Sequence, residues 1–293
     1  MMKMDFLYLS LYKILKMIVF ILPNYMVKIL IKKIAKIVFY LDKKHRKIID
    51  TNLSLCFDMD KIQRNKLSLK IYENFAKFGI DFINNQNATI DTVLKKVKVE
   101  NEEFIDELIK SKRVLIFTTA HFSNWELIPL TYAARFGAIS IVGRTLDSKI
   151  MDKIVSKNRT QFNIELIDKK GGIRKMLQAI KNKRALGILT DQHASDNESI
   201  ELEFFGKKVE WQVGASVLAK KTEALLIPAF IYQFDENTYH IKTFEPMDAS
   251  IHSREELTKY QAKCCEEMIR FKPDEYFFFH KRFKKFYQHL YDK

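Results

Sequence analysis

RVLIFTTAHFSNWELIPLTYAARFG, residues 113–137, carries the change of texture that decides the fold. The apolar, β-branched run ending at Ala120 reads as a buried strand over 113–120. Leu127, Leu130, Tyr132 and Ala133 then recur at helical spacing, which predicts a helix over 123–136. His121 stands between the two, at the carboxyl end of the strand, with Glu126 five residues on. Ligands of open α/β sheets bind at that end of the strands, so these two side chains are the first site candidates.

The alternation continues downstream. AISIVG (138–143), ALGILTD (185–191), LLIPAFIY (225–232) and YHIKTF (239–244) read as strands. Helical patterns occupy about 148–161, 172–182, 211–222 and 253–271. The expectation is an α/β fold with a mixed or mostly parallel sheet flanked by helices. Upstream, a helix is predicted over 61–86, with Asp60 as its N-cap and Ile62, Leu67, Leu69, Ile71, Phe75 and Phe78 buried. LDKKHRKIIDTNLSLCFD reads as a polar bridge into it. No Pro/Gly/Ser-rich linker interrupts the chain, so one α/β domain over 43–293 is expected behind an N-terminal segment, 1–42.

Of the 293 residues 47% are hydrophobic, enough for a large core, which excludes intrinsic disorder. Eight Gly, five Pro and no period of 20–50 residues exclude collagen-like and repeat architectures. Cys56, Cys264 and Cys265 cannot build a disulfide framework and match no zinc spacing. No small-residue cleavage site follows a short apolar core, so a cleaved signal peptide is not expected.

The net charge is +14, and +8 of it lies in residues 1–50, where ten lysines and Arg46 face Asp5, Asp42 and Asp50. That stretch is also strongly apolar, which disfavours nucleic acid as the partner of the charge. Its longest uncharged run, Met17 to Val27, is eleven residues, against roughly 20 for a spanning helix. Pro23 should break the helix near Leu22. Lys28, Lys32 and Lys36 form one stripe, with Ile29, Leu30, Ile34, Ile37 and Val38 around it. This suits a helix lying on an anionic lipid surface; the alternative is a basic-faced helix packed on the protein's own core.

Two readings of the His121 segment compete. Ser123-x-x-Glu126 is a capping-box pattern, which would make Glu126 structural and His121 a polar loop residue. Alternatively, the carboxylate orients the imidazole across the turn, leaving the other ring nitrogen free to take a proton. Such a pair deprotonates a substrate hydroxyl. No serine or cysteine sits in a nucleophile elbow, so covalent catalysis has no candidate.

HFSNWE (His121 to Glu126) resembles the H-x4-[DE] motif of glycerolipid-type acyltransferases, and three further blocks resemble the late acyltransferases of lipid A biosynthesis. HRKIIDTNLSLCF (Arg46, Asn52, Leu53) is similar to an R-x5-N-L segment. Thr190 to Phe230 resembles the D-Q, F-F-G and A-x-K-T…P blocks. PDEYFFFHKRFK (Pro273 to Lys284) is similar to P-x-x-W-x-W-x-H-x-R-F-K, with Tyr276 and Phe278 in place of the tryptophans.

The resemblance implies a glycerolipid-acyltransferase-like fold. The implied activity moves a fatty acyl chain from acyl carrier protein to a hydroxyacyl chain of a lipid A precursor, at the cytoplasmic face of a bacterial inner membrane. His121 would be the general base and Glu126 its partner; acyl carrier protein is a co-substrate, with no cofactor and no metal. Arg144 and Arg159 suit substrate phosphates. Arg159-x3-Asn163 stands where the family has R-x3-G, and an asparagine, like glycine, can adopt the left-handed conformation. Asn124 is a candidate oxyanion donor, and Asp191 and Gln192 are candidate supporting or substrate-binding groups. With His193 these could pass for a metal site, but no H-E-x-x-H spacing supports one. The HKRFKK cluster (His280 to Lys285) is a candidate docking surface for an acidic carrier protein. Phe204, Phe205, Gly206 and Trp211 read as hairpin or helix-start packing, or equally as the wall of an acyl groove. Other readings are acylation of another glycolipid or a lysophospholipid, a metal-dependent hydrolase, and a non-catalytic membrane-surface binding protein.

Overall fold

Strand β2 (Leu115–Thr119), the centre of the decisive stretch, runs parallel to β5 (Ala185–Leu189) on one side and β8 (Leu225–Gln233) on the other. The computed structural model describes residues 2–192 and 198–292. Among these, eight strands form the main sheet, in the order β1 (Val97–Val99), β9 (Tyr239–Thr243), β8, β2, β5, β3 (Ile139–Gly143), β4 (Ile164–Asp168). The eighth, β10 (Met247–Asp248), pairs antiparallel with the start of β8. Only the β8 pairings with β9 and β10 are antiparallel, so the sheet is mixed and mostly parallel.

Both faces are covered, which is why β2 and β8 read as continuous apolar runs. Leu115 and Phe117 face α5 (Ile90–Lys96), α6 (Glu102–Lys110) and α7 (Leu127–Arg135). Ile116, Leu186 and Leu226 face α9 (Ile173–Lys181), α10 (Gly214–Thr222) and α11 (Arg254–Phe271). A third core joins α3 (Lys43–Cys56), α4 (Lys61–Asn84), the hairpin β6–β7 (Ser199–Phe204, Lys207–Gln212) and the aromatic C-terminal segment. Phe205 (φ 54) and Gly206 (φ 67) make the hairpin's two-residue turn, where both central positions need positive φ.

Several expectations are corrected. The supposed polar bridge is α3, capped by Asp42 and burying Ile49 and Leu53 completely; each such side chain contributes about 1.5–3 kcal/mol. Asp60 caps α4 in a full capping box with Gln63, as expected, but Ile62 and Phe75 are 67% and 41% exposed. The helix after β2 begins at Leu127, not at 123, because Ser123 adopts φ 51 and cannot act as its cap. Strands β1, β4 and β10 were not expected; they are short, and β4 is an edge strand carrying Glu165.

Helix α1 (Met2–Ile21) stops just before Pro23, and α2 (Asn24–Leu41) starts after it. Val27, Ile31, Ala35 and Phe39, at four-residue intervals, are the face that α2 buries, and Val27 and Ile31 meet Ile80 and Ile83 of α4. The helix thus packs on the protein's own core while exposing Ile29, Ile37, Val38, Lys32 and Lys36. No helix among the described residues is long and apolar enough to cross a membrane.

Candidate active site

Register explains the site. Thr119 of β2 is paired with Leu189 of β5, so His121 and Asp191 emerge side by side, each two residues beyond its strand. His121 Nδ1 lies 2.8 Å from Asp191 Oδ1, and the His121 backbone N–H donates to Asp191 Oδ2 at 3.1 Å. An ionised carboxylate only accepts, so Nδ1 carries a proton, and in the neutral ring Nε2 presents the lone pair. On the Nε2 side, the Gln192 amide nitrogen stands 3.4 Å away.

The His121 turn is held by distant chain. Phe277 N–H donates to the His121 carbonyl at 2.9 Å, and Ser123 N–H donates to the Glu275 carbonyl at 2.7 Å. Phe122 and Tyr276 form an antiparallel bridge between them. This pairing imposes the left-handed turn at Ser123, and the turn decides where Asn124 and Glu126 go.

Glu126 does not take the place expected for it. It is buried and accepts a fork from Arg159, whose Nε lies 2.9 and 3.1 Å from the two carboxylate oxygens while Nη2 adds a third contact. Trp125 Nε1 donates to it at 3.1 Å. Neither the capping box nor a Glu126–His121 hydrogen bond forms; the carboxylate acts on His121 only through its field. Arg159 ends α8 (Lys149–Arg159) and is therefore tied to a carboxylate, beside the cavity that His121 lines. The left-handed residue after it is Phe162 (φ 56), not Asn163.

The electrostatics follow from burial and partners. Burial works against a charged His121, but the Asp191 charge and hydrogen bond, with Glu126 behind, raise its pKa above 6.5. Asp191 is fully buried; burial alone would raise its pKa, yet the charge and hydrogen bonds of His121 hold it well below the carboxylate range. Burial lowers Arg159 and the Glu126 pairing more than restores it.

His121 opens into a cavity of about 470 Å³. Phe117, Tyr132, Ile139, Ile141 and Ile241 line it, and so does Gly187, against which Ile141 packs closely. Arg144 and Lys169 stand at it as well; Arg144 is exposed and pairs with Asp147 at 3.0 Å.

The structure therefore brings together His121, Glu126, Arg159, Asp191, Gln192 and, along the same cavity, Arg144. Asn124 is not among them: it is buried and lines a separate small cavity with Lys77 and Tyr239. His193 lies outside the described residues. In the HKRFKK cluster, Arg282 and Phe283 are buried and Lys285 pairs with Glu210, so the cluster is no continuous basic surface. Sequence reasoning missed Asp191 as the partner of His121, and Lys169 and Gly187 altogether.

Residues 2–285 match the family model described as bacterial lipid A biosynthesis acyltransferase. A lipid A biosynthesis lauroyltransferase of Escherichia coli K12 is 23% identical over 258 residues, covering 86% of this chain and 83% of the relative. A lipid A biosynthesis palmitoleoyltransferase of the same strain is 23% identical over 248 residues, covering 83% and 79%. A phosphatidylinositol mannoside acyltransferase of Mycobacterium tuberculosis (CDC 1551 / Oshkosh) is 19% identical over 152 residues, half of this chain and 48% of the relative. A match that spans nearly the whole chain places the protein in the bacterial lipid A biosynthesis acyltransferase family, as an acyltransferase.

Proposed function

We propose that the protein moves a fatty acyl chain from an acyl carrier protein thioester to a hydroxyl on a hydroxyacyl chain of a lipid A precursor, at the cytoplasmic face of the inner membrane. The observation that carries this is His121, held through Nδ1 by Asp191, at the wall of a large, mostly apolar cavity. His121 removes the hydroxyl proton as the oxygen attacks the thioester carbonyl. The new C–O bond forms, the C–S bond breaks, and the proton passes from His121 to the departing thiolate. General-base help of this kind is typically worth about 10²–10⁴ in rate.

Asp191 orients His121 and stabilises the imidazolium; the Glu126–Arg159 pair forms the adjoining wall and fixes α8 against the site. The apolar interior suits a hydrocarbon chain, and Arg144 and Lys169 suit phosphate or another anionic group. Exposed Phe6, Leu11, Phe20, Ile21 and Tyr25 on α1 and α2, with their lysines, suit a lipid surface.

Lipid A mass spectrometry on cells lacking the protein, then carrying wild type or His121→Ala, tests the reading. Wild type should restore one ester-linked acyl chain and His121→Ala should not. Restoration by His121→Ala would overturn the base assignment; an unchanged lipid A with an altered glycolipid or phospholipid would move the acceptor to that class.

A further inference from the structure

Asp191 holds the His121 ring at one atom, Nδ1, and a single hydrogen bond does not fix the plane of an imidazole. The Cβ–Cγ torsion of a histidine is broad and roughly two-fold, so the ring swings or flips about it unless neighbouring atoms stop it. A flip puts Cδ2 where Nδ1 stood and Cε1 where Nε2 stood, which breaks the bond to Asp191 and takes the base away. Glu126 makes no hydrogen bond to the ring that could prevent this, and the Gln192 amide stands off at 3.4 Å.

The stop is aromatic. Trp125 sets its indole nearly edge-to-face against the imidazole, with ring centroids 5.0 Å apart and planes at 67°. The indole is itself clamped. Phe78 of α4 stacks on it at 4.3 Å with planes at 24°, and Phe277 meets it at 6.2 Å and 69°. Its Nε1–H donates to Glu126 Oε1 at 3.1 Å, and Glu126 is gripped by Arg159 at the end of α8. To pivot past Trp125, the imidazole has to push aside a side chain tied to both α4 and α8. The field of Glu126 is its direct influence on His121; the indole gives it a mechanical one.

We propose that Trp125 is the positioning residue of His121. It holds the imidazole in the plane that keeps Nδ1 on Asp191, and Phe78 and Glu126 act on the base by fixing the indole. The inference deepens the acyl-transfer reading and rests on His121 as its base. Its first test needs no acyl transfer.

That test is the solvent-exchange rate of the His121 Nδ1 proton, measured by NMR in histidine-labelled protein and assigned with His121→Gln. Trp125→Leu should speed the exchange by about three- to tenfold, the strength of one aromatic pair. It should also lower kcat by about tenfold with the donor KM little changed. Phe78→Leu separates positioning from mere lining, because Trp125 lines the His121 cavity and Phe78 lines only the small neighbouring one. Phe78→Leu should speed the exchange less than Trp125→Leu does, and the double variant should go no further than Trp125→Leu alone. A wild-type exchange rate in Trp125→Leu would overturn the proposal and leave Trp125 a cavity wall. Additive effects of the two substitutions would overturn it as well. If Trp125→Leu does not fold, Trp125→Phe, which keeps a ring and loses the N–H, takes its place: faster exchange upholds the proposal, and an unchanged rate in both Trp125→Phe and Phe78→Leu overturns it. A His121→Ala protein that still transferred acyl chains would remove the base assignment and leave this contact standing, so the two failures are distinguishable.

Discussion

Asp191, seventy residues downstream of His121, takes the imidazole Nδ1 at 2.8 Å, whereas Glu126, five residues downstream, takes Arg159. Sheet register makes the first contact and the left-handed turn at Ser123 makes the second. The two acids should therefore respond differently to neutral isosteres. Asp191→Asn presents an amide to Nδ1, favours the wrong tautomer and should lower kcat by about 10²–10⁴, with KM little changed. Glu126→Gln leaves Arg159 half-answered beside the cavity; it should lower the melting temperature and cost only about tenfold in kcat, because a broken buried pair is paid for mostly in stability. Steady-state kinetics and thermal melts of both variants check this. A larger kcat loss in Glu126→Gln than in Asp191→Asn would reverse the assignment.

The pH dependence has a defined sign. The folded pKa of His121 lies above 6.5, and the base form is the deprotonated one. Activity should thus rise with pH through a limb above 6.5, not below it. The stability that the His121–Asp191 pair contributes runs the other way: it is fully present below 6.5 and is lost as pH rises through the raised pKa. In Asp191→Asn the raising influence disappears, burial dominates, and the residual activity should show a limb shifted below that of wild type. A kcat/KM profile against pH for both proteins measures it; coincident limbs would mean that the limb belongs to another group.

Which parts of this were legible without coordinates depends on how local their causes are. Strands β2 and β8 announce themselves because burial on both faces enforces apolar runs, and β9 by its alternation of buried and half-buried residues. The edge strand β4 and the three-residue β1 are stabilised by their neighbours, so their own residues say little. His121 was found because it closes an apolar run. Its hydrogen-bond partner is not legible there, because Glu126 is near in sequence while Asp191 is near only through the pairing of Thr119 with Leu189. Asn124 shows the same failure: a polar residue in the motif faces away once Ser123 turns left-handed.

Gly187 should set how long a chain the cavity accepts. A Cβ there would meet Ile141 Cγ2 at 3.3 Å and Ile139 Cδ1 at 3.6 Å, so alanine requires only a slight yielding of Ile141. A leucine must displace Ile141 and Ile139, which line the cavity, and so takes room from it. Discrimination of about 10–200-fold per methylene is the ceiling for an apolar pocket, so Gly187→Leu should depress kcat/KM for long donors at least tenfold more than for short ones. Competition assays with paired donors read the ratio directly. Equal losses for all lengths would place the chain elsewhere.

The N-terminal helices give the prediction that separates surface attachment from spanning. Phe6 and Leu11 of α1 are 71% and 56% exposed, Phe20 and Ile21 70% each, and Tyr25 of α2 66%, apolar surface of the kind that marks an interaction site. The buried face of α2, Val27 to Phe39, belongs to the core, so disrupting the exposed side chains should spare the fold. Replacing Phe6, Leu11, Phe20, Ile21 and Tyr25 by serine should abolish co-sedimentation with vesicles containing anionic lipid and leave the melting temperature nearly unchanged. Lys32 and Lys36 are exposed beside this face, each worth about 1 kcal/mol near an anionic surface. Binding of the wild type should accordingly weaken as salt rises and shrink on neutral vesicles, whereas a spanning helix would ignore both and would resist carbonate extraction. Retention of the serine variant on anionic vesicles would move the attachment to another surface of the molecule.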